Sequence, residues 1–445
     1  MRAHEAGALH AEGGHRGPSW LRAPEDVNAL VPALWARSVR RGGAGSLTVG
    51  GVDVRDIAHE FGTPAYVIDE DDFRSRAREF KQAFGEVFQD LCGGADVYYA
   101  GKAFLCTSVA RWIHEEGLGM DVCSGGELAV AIRAGLPGDR IGFHGNNKSV
   151  AEIEEALRYG VGRIVVDSFA EIERVAAAAQ RLGVVAPVLV RVTVGVEAHT
   201  HEYIATAHED QKFGFSLAGG EAAEAVCRIL DHAAHLTLLG LHSHIGSQIF
   251  DTSGFEVATR RVLGLHLDVA REHGVQLAEL DLGGGFGIAY TTQHDPLSPR
   301  DLAIGMAQIL ERECRAEGVP VPKISIEPGR AIAGPSTFTL YEVGTIKAVL
   351  LDGDASRTYV SVDGGMSDNV RPALYDADYS CTVAGRVSEA DPTLVRVVGK
   401  HCESGDIVVK DEFLPSDVRA GDLLAVPVTG AYCRSLSSQY NHVPR

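Results

Sequence analysis

No stretch of the chain holds the roughly 18 consecutive apolar residues that a membrane-spanning helix needs, so no membrane association is expected. The first residues include Arg and His but neither an apolar h-region nor a small-residue cleavage pattern, which argues against secretion. Cysteine is sparse: eight are scattered over 445 residues, with no Cys-x-x-Cys pair. Disulfide frameworks belong to short secreted chains and zinc sites to clustered ligands, so reduced cytoplasmic thiols and no bound metal are expected. Positive charge is also short. Forty-one Lys and Arg against 60 Asp and Glu leave a net charge of −19, which argues against nucleic acid or an anionic membrane surface as the main partner. The dinucleotide fingerprint G-x-G-x-x-G is absent too, because the residue after Gly285 and Gly287 that should be glycine is Tyr290. No internal repeat or low-complexity linker is found.

What is present describes a folded, globular chain: 45% of residues are apolar and 23% charged. Its length exceeds one ordinary core, so two domains are expected. Residues 1–45, rich in Gly, Ala, Arg and His, read as a mobile N-terminal extension with one short helix around Val27 to Arg40. Leu47-Thr48-Val49 and Ala65-Tyr66-Val67-Ile68 look like strands flanking a helical Val54 to Phe61, and Asp71 to Phe88 has helical spacing. From Asp96 onward short apolar runs alternate with Ala/Glu/Arg-rich helical segments. The runs are Val97–Ala100, Gly119–Val122, Arg140–Phe143, Ile164–Val166, Val188–Val192, Leu238–Leu241, Leu280–Leu282 and Ile324–Ile326. Eight such units predict a TIM-like (β/α)₈ barrel, with a doubly wound open sheet as the alternative. After Gly334 the texture turns all-β, through Thr337 to Leu351, Arg357 to Val362, Leu394 to Val398 and Leu423 to Val428. The expected division is a barrel over 71–335 and a C-terminal β-domain over 336–445 that also takes in the N-terminal strands of 46–70.

Barrels place chemistry where strands end, so the residues there are weighed one by one. Lys102 follows Asp96-Val97-Tyr98-Tyr99-Ala100-Gly101 and is either an ordinary salt-bridge lysine or one that forms a Schiff base with a carbonyl cofactor. Ser124 and Glu127 form S-x-x-E, a helix capping box, beside Asp121. His144 opens a turn that says little alone. His242-Ser243-His244 could be a metal pair or could supply a histidine stacked on an aromatic cofactor, with Ser247 free to bond a phosphate. His199 and His201 fall in a polar loop unsuited to preorganised ligands. Gly283-Gly284-Gly285 is a turn that lets backbone N–H groups approach a phosphate. Glu327, leaving a buried strand, needs a cation or donor: a pyridinium N–H, or equally an arginine. Arg330 and Arg371 are candidate carboxylate clamps. Cys402 is a buried small hydrophobe or a proton donor, and Tyr432 bonds a phosphate or only packs.

Taken together, Tyr99-Ala-Gly-Lys102-Ala, His244-Ile-Gly-Ser247, Gly283-Gly-Gly285, Glu327-Pro-Gly-Arg330, Arg371-Pro-Ala-Leu-Tyr375 and Cys402-Glu-Ser-Gly-Asp406 resemble the diaminopimelate decarboxylases. The likeness runs from about Thr48 to Tyr440. The first four motifs are similar to those of pyridoxal-phosphate decarboxylases with an alanine-racemase-like barrel in general. The last two discriminate. The resemblance implies decarboxylation of meso-2,6-diaminopimelate to L-lysine and carbon dioxide, the last step of lysine biosynthesis, with pyridoxal 5'-phosphate as cofactor. It implies that Lys102 holds the cofactor, His244 stacks on its ring and Glu327 pairs with its ring nitrogen. Ser247, Gly284, Gly285 and the Pro328-Gly329-Arg330 segment would hold its phosphate, with Tyr432 close by. Arg330, Arg371 and Tyr375 would grip the carboxylate at the non-reacting end of the substrate, where Glu403 takes the ammonium. Family members are similar in forming head-to-tail homodimers in which Cys402, the proton donor, and Glu403 complete the partner's site. Three rivals stand beside it: a relative acting on ornithine, arginine or a carboxylated polyamine, a metal-dependent hydrolase using His242, His244 and Glu327, and a non-catalytic cofactor carrier.

Overall fold

The computed structural model describes residues 17–195, 212–350 and 356–444, so His199 and His201 lie outside the described residues. Two compact units emerge. One takes Arg74–Gly287 with Pro296–Ala331, and the other the described residues up to Phe73 with Ile288–Asp295 and those from Ile332 onward. Among the described residues no helix is long and apolar enough to cross a membrane.

The first unit is a closed barrel of eight parallel strands, and the open-sheet alternative is set aside. The strands are Asp96–Ala100, Gly119–Val122, Ile141–Phe143, Arg163–Val166, Ala186–Thr193, Leu236–Ser243, Glu279–Asp281 and Lys323–Ile326. Each pairs with the next, and the eighth returns to the first through Ser325↔Asp96 and Ile326↔Val97. Their apolar residues read as continuous runs because both faces of a barrel strand are covered. A short strand, Phe215–Ser216, also pairs with the fifth at Val192 and Thr193; two residues carry too little pattern to be foreseen.

Serine punctuates the strand-to-helix turns. Ser124, Ser149 and Ser168 each accept the backbone N–H three residues on, and each is followed there by glutamate. Only Ser149 and Glu152 complete the reciprocal box. Glu127 instead accepts from the Cys123 N–H at 2.7 Å, and Glu171 turns to Lys148. Helix Glu70–Val87 puts Phe80 and Phe84 on one face by their spacing of four. Their rings lie 5.6 and 6.2 Å from that of Phe286, which follows the glycine turn. Burying each ring contributes roughly 2–3 kcal/mol and fixes where the turn sits.

The second unit holds a mixed sheet in the order Thr382–Val383, Leu423–Pro427, Thr337–Leu350, Ser356–Val362, Pro392–Val398, Ile407–Pro415. Ala65–Ile68 pairs antiparallel with its long strand, Thr337 opposite Ile68 and Leu340 opposite Ala65. Leu47–Val49 does not join that sheet, forming a separate three-stranded one with Arg40–Arg41 and Val52–Asp53.

Of the segment 1–45 expected as an extension, the described part, residues 17–45, is packed against its own unit. Leu34, Trp35 and Ala36 are buried, and the Trp35 ring tilts against Phe338 at 5.9 Å. Arg41 donates to the carbonyls of Asn28, Gly45, Arg386 and Val383 and to the Thr382 hydroxyl. One guanidinium thereby satisfies five acceptors, a tie that composition does not reveal. Where a helix was expected, Pro32–Leu34 forms a single 3₁₀ turn, as suits a proline at its start.

Candidate active site

Lys102 lies in the 3₁₀ turn Gly101–Ala103, immediately past the first barrel strand. Gly101 is needed there, since a Cβ would press on the Asp121 carbonyl oxygen. The eighth strand delivers Glu327-Pro328-Gly329-Arg330 beside it. The Pro328 carbonyl accepts the Ala100 N–H at 3.2 Å, and a Cβ on Gly329 would meet Ala100 and Ala103. Arg330 is buried and donates to the Ser247 hydroxyl at 2.7 Å. The turn Gly283–Gly285 closes the group. Gly283 and Gly285 have φ of 69° and 98°, and a Cβ on any of the three would strike backbone at Ser243, Glu327 or Gly246. His244 accepts the Gly284 N–H through Nδ1 at 3.3 Å. One barrel end therefore brings together Lys102, His244, Ser247, Gly284, Gly285, Glu327, Pro328, Gly329 and Arg330.

Beneath them the barrel interior is polar. His242 Nε2 lies 3.0 Å and His144 Nε2 3.4 Å from Glu327 Oε1, and His144 Nε2 is 3.2 Å from Asp121 Oδ1. None of these approaches has the alignment of a hydrogen bond, so Glu327 Oε1 and both Asp121 oxygens have no hydrogen-bond partner among the described residues. Burial works against charge on Glu327, but the imidazoles of His144 and His242 outweigh it and hold the carboxyl well below the usual range. Burial pushes His144 down to about 3, against the pull of Glu327, so it is neutral near pH 7. His244 is pushed down by burial and then by the charges of Lys102 and Arg191. Arg163 stacks over Tyr98 at 3.7 Å and reaches Glu279 at 3.2 Å and Asp281 at 3.4 Å.

Of this layer, His144, Arg163 and Asp281 were not foreseen as site residues. A charged or imidazole residue inside or just past an otherwise apolar barrel strand was the available signal. The ligating trio weighed for a metal, His242 with His244 and Glu327, is not the one assembled. His144, His242 and Glu327 are, with ligand atoms within 4.8 Å of one another.

The second unit holds the other named residues. Arg371 opens the helix Arg371–Tyr375, is buried, donates to the Tyr379 hydroxyl at 2.5 Å and lies over the Tyr290 ring at 4.6 Å. Tyr375 ends that helix, half-buried. Cys402, expected as a buried hydrophobe or a proton donor, is exposed, as is Glu403. Their loop has a fixed base: Asp406 accepts the N–H of Met366 at 2.6 Å and of His401 at 2.8 Å, and His401 meets the Ser367 hydroxyl at 2.8 Å. Tyr432 has φ of 65°, a backbone conformation uncommon for its residue type and frequent at functional sites.

A lysine, a buried carboxylate and a glycine turn share one barrel end. Residues 70–334 match the family model described as pyridoxal-dependent decarboxylase, pyridoxal binding domain. The chain is 57% identical to the diaminopimelate decarboxylase of Mycobacterium tuberculosis, covering 94% of this chain and 92% of that one. It is 54% identical to that of Mycobacterium leprae, over 100% and 94%. The solved diaminopimelate decarboxylase of M. jannaschii, in co-complex with L-lysine, superposes with a TM-score of 0.85 at 31% identity, covering 93% of this chain and 92% of that one. The chain belongs to the diaminopimelate decarboxylase family of pyridoxal-dependent decarboxylases.

Proposed function

We propose that the chain converts meso-2,6-diaminopimelate to L-lysine and carbon dioxide, with pyridoxal 5'-phosphate as its cofactor. The gathering of Lys102, Glu327, the glycine turn and the Ser247–Arg330 pair at one barrel end carries this reading. The residues fit that cofactor. A buried carboxylate oxygen without an aligned hydrogen bond, Glu327 Oε1, suits a pyridinium N–H. A turn with no room for a Cβ, Gly283–Gly285, suits close approach of a phosphate.

Lys102 would carry the cofactor through its amine, with His244 against the ring and Glu327 at the ring nitrogen. Ser247, Gly284, Gly285 and Pro328-Gly329-Arg330 would hold its phosphate, with Tyr432 beside it. When bound, the cofactor supplies a protonated aromatic ring that accepts the electron pair left as carbon dioxide departs. Glu327 keeps the proton on that ring by remaining ionised. Arg330, Arg371 and Tyr375 grip the carboxylate at the far end of the substrate, and Glu403 takes its ammonium. The reacting carboxylate would lack a strong cationic partner, since pairing would stabilise the ground state and slow its loss. The Cys402 thiol delivers a proton to Cα.

We assign the working protein as a head-to-tail homodimer in which Cys402 and Glu403 complete the partner's site. Their exposure at the tip of a loop with a pinned base supports this. A cytoplasmic location and a functional division at 71–335 against 46–70 with 336–445 belong to the same reading.

The test is direct. The purified protein should show the visible absorbance of a lysine-bound cofactor, lost in Lys102→Ala, and should release lysine and carbon dioxide in equal amounts from meso-diaminopimelate. A cofactor spectrum without lysine release would redirect the substrate to ornithine, arginine or a carboxylated polyamine. Absence of the spectrum would sink the cofactor assignment.

A further inference from the structure

Arg371 is buried, and a guanidinium keeps its charge at any ordinary pH. A buried cation is costly unless an anion or several acceptors meet it. Arg163 has Glu279 and Asp281, and Arg41 has five acceptor oxygens. Arg371 has neither. Among the described residues no carboxylate pairs with it, and its guanidinium makes one hydrogen bond, to the Tyr379 hydroxyl at 2.5 Å.

Neutral aromatic groups hold it instead. The guanidinium lies 4.6 Å from the centre of the Tyr290 ring and 5.7 Å from that of Tyr379, and the two rings meet edge to face at 5.2 Å. Burial pushes the Tyr379 hydroxyl well up, so it stays protonated. Its oxygen accepts from Arg371, which leaves its own proton for Cys433 Sγ at 3.6 Å. The Cys433 thiol donates in turn to Asn369 Oδ1 at 3.5 Å, and that same oxygen accepts the Arg371 backbone N–H at 3.3 Å. A ring of hydrogen bonds therefore starts and ends on Arg371, and Tyr379, Cys433 and Asn369 are all buried.

We infer that Tyr379, with Cys433 and Asn369 behind it and the Tyr290 ring against the guanidinium, fixes Arg371 in place without neutralising it, and so makes a carboxylate at the far end of the substrate a condition of binding. Tyr379 and Cys433 are positioning residues, and the inference rests on the reading of Arg371 as a carboxylate clamp. The neutrality of the frame is what matters. An aspartate in the place of Tyr379 would pin the guanidinium equally well, but it would take the charge that the incoming carboxylate has to meet. A ligand with no group to meet that charge would leave a buried cation unpaired, which is how a polar site rejects an analogue lacking one polar group.

The experiment is steady-state kinetics of the holoenzyme with two competing ligands that differ in one group. L-lysine keeps the carboxylate and ammonium of the far end, whereas 1,5-diaminopentane lacks the carboxylate. In Tyr379→Phe, KM for meso-diaminopimelate and Ki for L-lysine should rise together by roughly tenfold, while kcat and Ki for 1,5-diaminopentane change less than about twofold. Cys433→Ala should show the same pattern more weakly, and Cys433→Ser should restore it, because a hydroxyl accepts and donates in the same two places. Wild-type constants for both carboxylate-bearing ligands in Tyr379→Phe overturn the inference. So does a common shift of kcat and all three constants, the mark of general loosening. If Tyr379→Phe loses the cofactor absorbance, the Cys433 pair decides: a serine variant as impaired as the alanine one, or an alanine variant with wild-type constants, overturns the inference. Arg371→Met separates the two failures. Constants that rise there but not in Tyr379→Phe remove the positioning role alone, whereas constants unchanged in Arg371→Met remove the clamp and the inference with it.

Discussion

Replacing Glu327 by glutamine removes one charge while keeping the shape of the side chain. If this carboxylate keeps the ring nitrogen protonated, the variant retains bound cofactor while kcat falls by roughly 10²–10⁴-fold, the range typical of a misplaced proton in catalysis. Absorbance and turnover measured on the same sample check this. Asp368 offers a pH prediction at the same scale. Burial raises its carboxyl to about 7, although Tyr341 and the Gly365 N–H hydrogen-bond to it. The folded state then holds its proton more tightly than the unfolded one, so the stabilising effect is full below the unfolded value and is lost as pH rises through about 7. Asp368→Asn should therefore gain on the wild type between about pH 4 and pH 7, by no more than about 4 kcal/mol in urea unfolding.

At the scale of elements, the loop after the third barrel strand shows how a position is held. Lys148 is fully buried and donates to the Gly145 and Val165 carbonyls, both at 2.7 Å, and to Glu171 at 2.5 Å. This fastens the backbone that carries His144. Glu171→Ala should cost about 3–5 kcal/mol, because it strands a buried ammonium, whereas Lys148→Met combined with Glu171→Leu should recover most of it. Urea midpoints at unchanged m-value check the difference. The barrel strands were legible because covered parallel strands are continuous apolar runs, and Lys102, Glu327 and the glycine turn because strand ends are marked by polar residues and glycine. The polar layer was not: Arg163 sits just before its apolar run and Asp281 is a lone charge within its own, and only barrel closure brings the two together. Ile407–Pro415 went unread as a strand because Lys410, Asp411 and Glu412 break its apolar pattern. Residues 17–45 went unread because their anchors, Trp35 and Arg41, find partners more than 300 positions away.

At the scale of the whole molecule, the shared-site reading makes a prediction about mixtures. Lys102→Ala and Glu403→Ala proteins should each be nearly inactive. Dissociated together in equal amounts and reassembled, they should recover roughly a quarter of wild-type activity, because half of the dimers then carry one intact site. Mixtures that stay inactive, with exchange of subunits verified, would count against a site built from two chains.

The pairing of Ala65–Ile68 with Thr337–Leu350 has a consequence for synthesis. When the ribosome has finished the first of these strands, its hydrogen-bonding partner does not yet exist. The entire barrel unit must be translated in between, which takes on the order of tens of seconds at ordinary elongation rates. For that interval the nascent chain carries an unpaired β-edge on its leading end, a surface open to chaperones and to the edges of neighbouring nascent chains.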